Sequence, residues 1–467
     1  MQVNDVHSQL NLTTVKGVRQ PDTVDALRRT VSECAKAGQP LSICGKRHAM
    51  GAQQFLSEGM LVDLTVLNRV LAMDHERGLL TVEAGIQWPA LIEGYLQLQQ
   101  SAFPSRPARW GIAQKQTGGD EMTIGGALAA NAHGRGLTMA PIAGDVESFT
   151  LVSPEGGLVE CSRETNAGLF RLVIGGYGLF GPIATVTLRL VPRRLLRRVV
   201  RIIDIEDAPT AARRRIDEGF LYGDFQFDID PDSPEFLTKG VFSCYQPVEG
   251  ETASAATELS MSDWSQMLHL AHVDKRRAFA LYAQHYIATD GQTYWSDTHQ
   301  LGVYINDYHL EIDRLTGSPH KCSEMITELY VPVDRCIDFL HAAAATLIAL
   351  KAEVIYGTIR LISHDTDTVL AWARGPRACI IFNLHVEHTP DGIEKSAAAF
   401  RALIDLALER DGSFFLTYHR HATRDQLLHA YPMLPEFLRA KDSHDPQHLF
   451  TSDWHRWLVR TVSSQSF

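Results

Sequence analysis

The sequence predicts a mixed α+β protein of two or three domains, and three observations lead to this prediction. Its 467 residues exceed the usual size of one domain, which is about 100–200 residues. Short apolar or alternating segments, typical of strands, are interleaved with segments whose apolar residues recur at helical spacing. Near Pro192 the character of the chain changes, because short elements around glycine-rich loops give way to longer strands and helices.

Composition disfavours several classes of protein. Hydrophobic residues make up 45% and charged residues 21% of the chain, which is ordinary for a globular protein. No run approaches about 18 uninterrupted apolar residues, and the first residues lack the regions of a secretory signal, so we expect neither a transmembrane helix nor secretion. The net charge of −11 disfavours nucleic acid as a partner. The seven cysteines include no CxxC pair, so we expect a reducing cytoplasm rather than disulfides.

The N-terminal part of the chain predicts short elements. We expect Asp22 to cap a helix that ends at Gly38. The apolar run 41–44 is typical of a strand and leads directly into the glycine-rich segment 45–51. An apolar face at 88–98 indicates helix over part of that stretch. Further strands are predicted at 60–64, 70–73, 80–83, 148–153 and 182–191.

Beyond Pro192 the predicted elements are longer. Strands are expected at 199–204, 354–362 and 378–387, and helices at 333–350 and 394–409. The last stretch, 424–460, is expected to be helical and then extended. We interpret the basic run 193–201 as a solvated strand end, because such runs are usually exposed.

One glycine motif resembles a nucleotide fingerprint without its structural context. Gly176, Gly178 and Gly181 fit the GxGxxG pattern of dinucleotide-binding folds, which requires a helix after the last glycine. The following segment, 183–190, is β-branched and alternating, and therefore predicts a strand. This disfavours an NAD-dependent dehydrogenase, an alternative that would bind nicotinamide without flavin.

Two other glycine-rich loops are better candidates for a cofactor site. The segments 45–51 and 118–126 each place glycines around a turn next to a predicted strand or helix. Consecutive backbone N–H groups in such loops bind phosphate without a lysine. Two loops could hold the two phosphates of one dinucleotide, whereas each loop taken singly could equally be an ordinary turn.

Together these motifs resemble those of the vanillyl-alcohol oxidase / p-cresol methylhydroxylase (PCMH) family of FAD-linked oxidoreductases. The resemblance runs from about residue 15 to 192 and includes the motifs Val-Asp-Leu at 62–64, Val-Glu-Ala-Gly at 82–85 and Thr-Ile-Gly-Gly at 123–126. Within the family the chain is most similar to the aldonolactone and alditol oxidases and to the decaprenylphosphoryl-ribose 2-oxidases. The last resemblance extends to the C-terminus through 430–432 and 450–453.

The resemblance implies a domain organisation and a cofactor. It implies a PCMH-type FAD-binding domain of two α+β subdomains at 1–195 and a cap (substrate) domain with an antiparallel sheet at 196–411. A C-terminal segment, 412–467, would return to the FAD domain. FAD is the implied cofactor, a small molecule the implied substrate, and O2 or an electron carrier the implied acceptor. The oligomeric state is not implied.

The resemblance also implies a set of cofactor-binding residues. His48 stands where many members attach the flavin covalently, although the ribose oxidases lack this histidine and bind FAD non-covalently. The alternatives are an exposed loop histidine at 48 and a helix-end histidine at 133. The implied set is Gly45, Lys46, Arg47, His48, Ala49, Met50, Gly51, Gly118, Thr123, Gly125, Gly126, Ala129, His133, Gly134 and Ile183.

Catalytic candidates come first from the alternation of strand residues. In the segment 379–387 one face is apolar, and Cys379, Asn383 and His385 lie on the other. In 356–360, Arg360 shares such a polar face. Alternation alone favours exposure of these faces to solvent over a place in a pocket floor.

The resemblance favours the pocket. Arg360 matches a basic position under the flavin of the aldonolactone oxidases, although Thr358 replaces their glutamate. Cys379 matches a pocket cysteine of the ribose oxidases, and Tyr418 falls where these relatives have a catalytic lysine. His419 is the alternative base, since histidine titrates near neutral pH. Glu328 is a weaker candidate, because it fits a solvent-facing strand position as well.

Two functional hypotheses follow. In the first, the protein is an FAD-linked oxidase or dehydrogenase that oxidises a small, sugar-like or otherwise hydroxylated alcohol by hydride transfer to flavin N5. In the second, it is a non-catalytic relative that binds FAD or another ligand. We expect no metal, because the histidine pairs 419/421 and 385/388 are too few ligands on their own.

Overall fold

The structure is a computed structural model that describes residues 1–254, 257–302, 305 and 307–463. The strands are β1 (Gln2–Val3), β2 (Thr13–Thr14), β3 (Gly17–Arg19), β4 (Leu41–Cys44), β5 (Met60–Asp63), β6 (Val70–Asp74), β7 (Leu79–Glu83), β8 (Trp110–Gly111), β9 (Val146–Val152), β10 (Leu158–Ser162), β11 (Ile183–Arg189), β12 (Val191–Pro192), β13 (Leu195–Asp204), β14 (Tyr222–Phe227), β15 (Lys239–Val248), β16 (Thr293–Trp295), β17 (Cys322–Pro332), β18 (Val354–Ile362), β19 (Arg377–Glu387) and β20 (Ser413–Phe414). The α-helices are α1 (Val24–Lys36), α2 (Trp88–Ala102), α3 (Ile124–Ala130), α4 (Ala167–Val173), α5 (Ala208–Asp217), α6 (Met261–Val273), α7 (Lys275–Ala288), α8 (Tyr308–Thr316), α9 (Cys336–Ala349), α10 (Pro390–Leu408), α11 (Arg424–Ala430), α12 (Leu434–His444) and α13 (Asp453–Ser463). The predicted α+β class is confirmed.

The N-terminal region contains two larger sheets and two two-stranded ones, β1-β2 and β12-β8. A three-stranded parallel sheet has the order β3-β5-β4, and a five-stranded antiparallel sheet has the order β10-β9-β11-β7-β6. Helix α1 buries Leu27 and Val31 in the core beside the first sheet. The cap of this helix is Thr23 and not the predicted Asp22, because the Thr23 hydroxyl accepts the Ala26 N–H at 3.1 Å.

The strand after the GxGxxG motif is confirmed. Gly181 has φ 130°, a backbone conformation that favours glycine, and β11 follows it directly. This strand pairs antiparallel with both β7 and β9. The glycines therefore lead into the middle of an antiparallel sheet, which excludes the helix that a Rossmann phosphate site needs.

The cap region is built on an eight-stranded antiparallel sheet with the order β16-β13-β15-β14-β18-β19-β17-β20. One face is apolar, with side chains such as Ile359, Ile380 and Phe382, and it shares a core with α9 and α10. The paired residues of the opposite face include Arg360, Cys379 and Tyr330, which are consecutive partners across β18, β19 and β17. We call this opposite side the polar face.

The polar face is buried, so exposure to solvent, the expectation from alternation alone, is wrong. Glu324, Glu328 and Arg360 are 2%, 1% and 3% exposed. Helices α6 and α7 lie over β13, β15 and β18, and the N-terminal region covers another part through residues such as His133. Burial of so many polar groups requires hydrogen-bond partners or a ligand. The polar face is therefore the candidate surface for ligand binding and catalysis.

The C-terminal segment contacts the N-terminal region at β4. The Leu41 N–H donates to the Leu449 carbonyl at 2.7 Å, and the Thr451 N–H donates to the Leu41 carbonyl at 3.0 Å. Helix α13 follows and buries Trp454 and Leu458, so the extended structure predicted for the last part of 424–460 is wrong. The amphipathic spacing of these two residues explains the helix. Among the described helices, none is both long and apolar enough to cross a bilayer.

The first prediction concerns the anchor of this segment. Lys441 and Asp445 form a fully buried ion pair, and Asp445 also accepts the Leu449 and Phe450 N–H groups at 3.0 and 2.8 Å. Because Lys441→Met leaves a buried carboxylate without its cation, we expect a loss of about 3–5 kcal/mol in the free energy of unfolding. Urea denaturation would measure this loss.

The matched control is Arg314→Met, which removes one partner of the solvent-exposed pair between Arg314 and Glu311. Exposed pairs contribute little, so its unfolding midpoint should equal that of the wild type. Equal midpoints for Lys441→Met and Arg314→Met would contradict the anchoring role of the buried pair.

Candidate active site

A deep cavity lies between the two N-terminal sheets and the C-terminal segment. It encloses about 1080 Å³, its open mouth included, and the segments 43–49, 122–132, 177–183 and 415–418 supply most of its wall. The largely apolar wall with a few polar groups is typical of a site for a small molecule or cofactor. Both glycine-rich loops singled out in the sequence contribute to this wall.

The two loops approach each other closely at Gly45, where an added Cβ atom would lie 2.2 Å from the Thr123 hydroxyl oxygen. The second loop also packs against the residue after β7, because a Cβ atom on Gly125 would lie 2.9 Å from the Ala84 Cβ. Arg47 has φ 60°, which turns the backbone within the first loop. Such a cradle of close backbone segments suits the phosphates of a dinucleotide, so the residues present fit FAD.

His48 lies half-buried in the cavity wall. Burial lowers the pKa of its imidazole to about 4, and the nearby His7 contributes in the same direction. The ring is therefore neutral at pH 7 and keeps a nucleophilic nitrogen lone pair. This is the protonation state that covalent attachment of a flavin requires, while the attachment itself stays a prediction.

The structure brings most of the predicted cofactor residues to the cavity wall. The wall contains Gly45, Lys46, Arg47, His48, Ala49, Thr123, Gly125, Gly126, Ala129 and Ile183. The other predicted residues do not line it: Met50, Gly51, Gly118, His133 and Gly134. Met50 is 2% exposed and its N–H donates to the Thr417 carbonyl at 3.0 Å, so it connects the loop to the C-terminal segment.

Sequence reasoning missed Tyr177, Phe415 and Thr417, which also line the cavity. The hydroxyl groups of Tyr177 and Thr417 lie 3.2 Å apart. Tyr177 is the variable residue inside the GxGxxG motif that we set aside, so the glycines around it were the one available signal. Thr417 directly precedes the predicted Tyr418.

Beyond the cavity wall, Glu328 forms the centre of a buried hydrogen-bond network. Its Oε1 accepts the Tyr418 hydroxyl at 2.8 Å. Its Oε2 accepts the Tyr330 hydroxyl at 2.7 Å and lies 3.0 Å from His133 Nε2. The Cys379 Sγ lies 3.6 Å from the same histidine nitrogen. Four predicted site residues, Glu328, Tyr418, Cys379 and His133, therefore meet at one place.

The network fixes the protonation states of its members. Burial alone raises the pKa of Glu328, but the charge and hydrogen bonds of His133 and the two tyrosine hydroxyls outweigh it and hold the pKa at about 2. Burial and the Glu328 charge raise the pKa of Tyr418 and of Cys379 well above their ordinary values. At neutral pH the site thus holds a carboxylate, a neutral phenol and a neutral thiol, which is a poor nucleophile.

The choice between Tyr418 and His419 follows from their opposite orientations. Tyr418 reaches Glu328 on the polar face and lines the cavity. His419 lies on the apolar face, with its Nε2 3.4 Å from the Thr327 hydroxyl and its ring stacked 4.6 Å from Phe400. The two side chains leave the turn at 416–418 in opposite directions, so only Tyr418 faces the site.

Arg360 is a buried cation on the polar face. It is 3% exposed, and within the described residues its Nε and Nη1 have no hydrogen-bond partner. Register places it opposite Cys379, which contacts the Glu328 network. Unpaired buried donors are costly, so these nitrogens suit an electron-rich oxygen of a bound cofactor or substrate.

Further buried cations lie on the same face. The Arg198 Nε donates to the Tyr245 hydroxyl at 3.0 Å, and the Arg135 guanidinium lies 4.8 Å from the centre of the same ring. Arg135 has one carboxylate nearby, with 3.9 Å between its Nη1 and Asp224 Oδ1. The interpretation of the run 193–201 as solvated is therefore wrong for Arg198, which is half-buried among hydrogen-bond partners and aromatic rings.

Comparison with known proteins agrees with this geometry. The FAD binding domain family matches residues 15–162. L-gulonolactone oxidase of Mus musculus is 29% identical over 175 residues, which are 37% of each chain. L-galactono-1,4-lactone dehydrogenase 1, mitochondrial, of Oryza sativa subsp. japonica is 32% identical over 204 residues, which are 41% of this chain and 32% of that protein.

A third relative covers nearly the whole chain. L-gulono-1,4-lactone dehydrogenase of Mycobacterium tuberculosis (strain ATCC 25618 / H37Rv) is 23% identical over 445 residues, 94% of this chain and 95% of that protein. In contrast, the match spans only about a third of the length of the first two relatives. Residues 15–162 are thus an FAD binding domain, which confirms FAD as the predicted cofactor, and the resemblance to the aldonolactone oxidases is also confirmed.

The second prediction tests the glycine cradle. Gly45→Ala places a methyl group against the Thr123 hydroxyl, and overpacking of this kind costs about 1–3 kcal/mol. We expect FAD affinity to fall by about 5- to 150-fold, measured as the flavin-to-protein ratio across a titration with FAD.

Gly168→Ala is the matched control, because nothing lies within 4 Å of the added Cβ. It should bind FAD like the wild type. Unchanged FAD affinity in Gly45→Ala would contradict the assignment of this loop to the cofactor.

Proposed function

We propose that the protein is an FAD-dependent oxidoreductase that oxidises a hydroxylated, sugar-derived small molecule, with sugar lactones as the first substrates to test. The observation that carries the proposal is the buried Glu328 network in contact with the cavity of an FAD binding domain. The relatives' names support it, since they are lactone oxidases and dehydrogenases.

FAD, when bound, would supply the acceptor for the two electrons and the hydrogen removed from the substrate carbon. The loops around Gly45 and Thr123 would hold it, with His48 in the wall. The protein's own task is then to orient the substrate hydroxyl and to remove its proton.

Tyr418 is the residue best placed for that task. Its hydroxyl hydrogen is directed to Glu328, so the lone pairs of its oxygen remain available to accept a hydrogen bond from a substrate hydroxyl. Because Glu328 stays ionised, its charge makes the Tyr418 oxygen a better acceptor. We infer that Tyr418 accepts this hydrogen bond and orients the substrate hydroxyl for the loss of its proton, while Glu328 stays ionised.

The polar face suits a substrate rich in oxygen. Arg360 offers donors that no described side chain accepts, and Arg135 and Arg198 add further positive charge. Thr358, which replaces the glutamate of the aldonolactone oxidases, is committed to a backbone bond, since its hydroxyl donates to the Phe225 carbonyl at 3.1 Å. Glu328, two strands away, supplies a carboxylate in its place.

The proposal also includes an electron acceptor, a compartment and domain limits. The acceptor would be O2 or an electron carrier. We propose the cytoplasm as the compartment, supported by seven unpaired cysteines, and we retain the domain limits 1–195, 196–411 and 412–467. The alternative, a non-catalytic FAD-binding protein, predicts a bound flavin that no substrate reduces.

The third prediction tests the role of Glu328. Glu328→Gln keeps the shape of the side chain but removes the charge that polarises Tyr418. We expect anaerobic reduction of the flavin by L-gulono-1,4-lactone or L-galactono-1,4-lactone to slow by about 10²–10⁴-fold, as for loss of an acid–base group, with FAD content unchanged. Stopped-flow absorbance would measure the rate.

Glu83→Gln is the control for this experiment, because Glu83 is an equally buried carboxylate whose partner is Arg69, away from the network. It should reduce at the wild-type rate. A wild-type rate in Glu328→Gln would contradict the mechanism, whereas a flavin that neither lactone nor any other alcohol reduces would favour the non-catalytic alternative.

The fourth prediction concerns pH. The pKa of Glu328 is lowered from 4.5 to about 2, so its ionised form stabilises the fold above pH 4.5, and this contribution is lost as the pH falls towards 2. The stability difference between wild type and Glu328→Gln should be constant between about pH 5 and 8 and should shrink below that range. Urea midpoints across the pH range would measure it, and a difference that widens in acid would contradict the buried carboxylate.

A further inference from the structure

A second group of ligating side chains lies away from the Glu328 network. It consists of His272 in the last turn of α6, Glu324 on β17 and His385 on β19, and we call it the His–Glu–His cluster. Glu324 and His385 are direct partners in the pairing of the two strands, and α6 brings His272 over them. The two histidines are 113 positions apart in the sequence, so spacing alone gives no sign of the cluster.

The three side chains converge on one point. The His272 Nε2 lies 2.9 Å and the His385 Nδ1 lies 3.6 Å from Glu324 Oε1. One ligand atom from each residue lies within 4.8 Å of the other two. Two ligand atoms on one metal ion with bonds of about 2.1 Å are separated by about 3–3.5 Å, so the observed distances match a shared ion.

The surroundings of His272 orient it as a metal ligand. Its Nδ1 lies 2.8 Å from the Leu268 carbonyl and therefore carries a proton. The Nε2 that faces Glu324 is then the nitrogen with the lone pair in the neutral ring. A histidine ligand with its other nitrogen bonded to a backbone carbonyl is the usual outer-shell arrangement of protein metal sites.

His385 adds a second, independent observation. Its Nδ1 is buried and has no hydrogen-bond partner within the described part of the chain, although it faces the Glu324 oxygen. Two imidazole nitrogens thus lie 2.9 and 3.6 Å from one carboxylate oxygen. A cation resolves this arrangement, because all three atoms offer lone pairs to it.

The superficially similar group at Glu328 differs in this respect. There, two tyrosine hydroxyls already donate to the carboxylate, and a single histidine approaches it. At Glu324, two histidines converge on the same oxygen, and the Tyr308 hydroxyl also donates a hydrogen bond to the carboxylate. His388, which the sequence pairs with His385, is not part of the cluster, since its Nε2 lies 2.8 Å from the Ser323 hydroxyl.

We propose that the His–Glu–His cluster binds one divalent transition-metal ion, with Zn²⁺ the ion to test first. Two imidazoles and a carboxylate are ligands that suit Zn²⁺ and exclude Ca²⁺ or Mg²⁺, which prefer oxygen ligands throughout. Three protein ligands leave at least one coordination position open, so the ion would also hold water or another oxygen ligand. The His385 side chain is 18% exposed, which gives the ion a route from solvent.

The experiment measures metal and not activity, so its outcome is independent of the proposed oxidoreductase function. The full-length protein, without a histidine tag, is stripped with a chelator, equilibrated with Zn²⁺ and analysed by elemental mass spectrometry. We expect one equivalent of zinc per chain in the wild type. His272→Ala, Glu324→Gln and His385→Asn should each weaken Zn²⁺ binding by at least tenfold in calorimetric titrations.

His341→Ala is the matched control, because it removes a histidine from another His–Glu pair, His341 with Glu206, which is solvent-exposed and away from the cluster. It should retain one equivalent of zinc. Flavin content and circular dichroism identify variants that fail to fold. In that case the decision rests on the wild type, whose Co²⁺ derivative should show the visible bands of a nitrogen- and oxygen-ligated ion.

Two results would overturn the proposal. One is a wild-type protein that holds no zinc above the level of a buffer blank and gives no Co²⁺ spectrum. The other is a folded cluster variant that binds Zn²⁺ as tightly as His341→Ala does. Either result would assign the cluster to a protonated histidine paired with Glu324.

Discussion

The structure depends on the burial of one carboxylate, Glu328, at the junction of three parts of the chain. An isolated buried charge is costly, so Glu328 needs donors. His133 comes from the FAD domain, Tyr330 from the cap sheet and Tyr418 from the C-terminal segment. These contacts hold the polar face of the sheet against the cofactor cavity, so that the same interaction supports both the fold and the proposed chemistry.

This constraint explains why the two faces of the cap sheet differ in polarity and in what they contact. The apolar face packs on α9 and α10 and needs no partner beyond them. The polar face retains donors without acceptors at Arg360, and at the His–Glu–His cluster two imidazole nitrogens converge on one carboxylate oxygen. Groups of that kind are found where a protein binds a ligand. The two ends of one face therefore present two different chemistries, one suited to an oxygen-rich substrate and one to a metal ion.

The sequence predicted the parts whose signals are local. The glycines at 45 and 125 mark close backbone contacts, and the alternation after Gly181 marks a strand, so the FAD loops and the exclusion of a Rossmann fold followed from short segments. Burial of the polar face could not be predicted, because alternation shows which residues share a face but not what covers it. The choice of Tyr418 over His419 and the His–Glu–His cluster depend on strand register and on helix placement, which are tertiary properties.

The central claim is that the cavity lined by His48 and the two glycine-rich loops holds FAD. Its most direct test is the visible spectrum of the purified protein, followed by acid precipitation of the wild type and of His48→Ala. The account predicts about one flavin per chain in the wild type. Flavin that stays in the acid precipitate of the wild type but not in that of His48→Ala would show that it is bound covalently through His48. A protein that contains no flavin, even after reconstitution with FAD, would contradict the account.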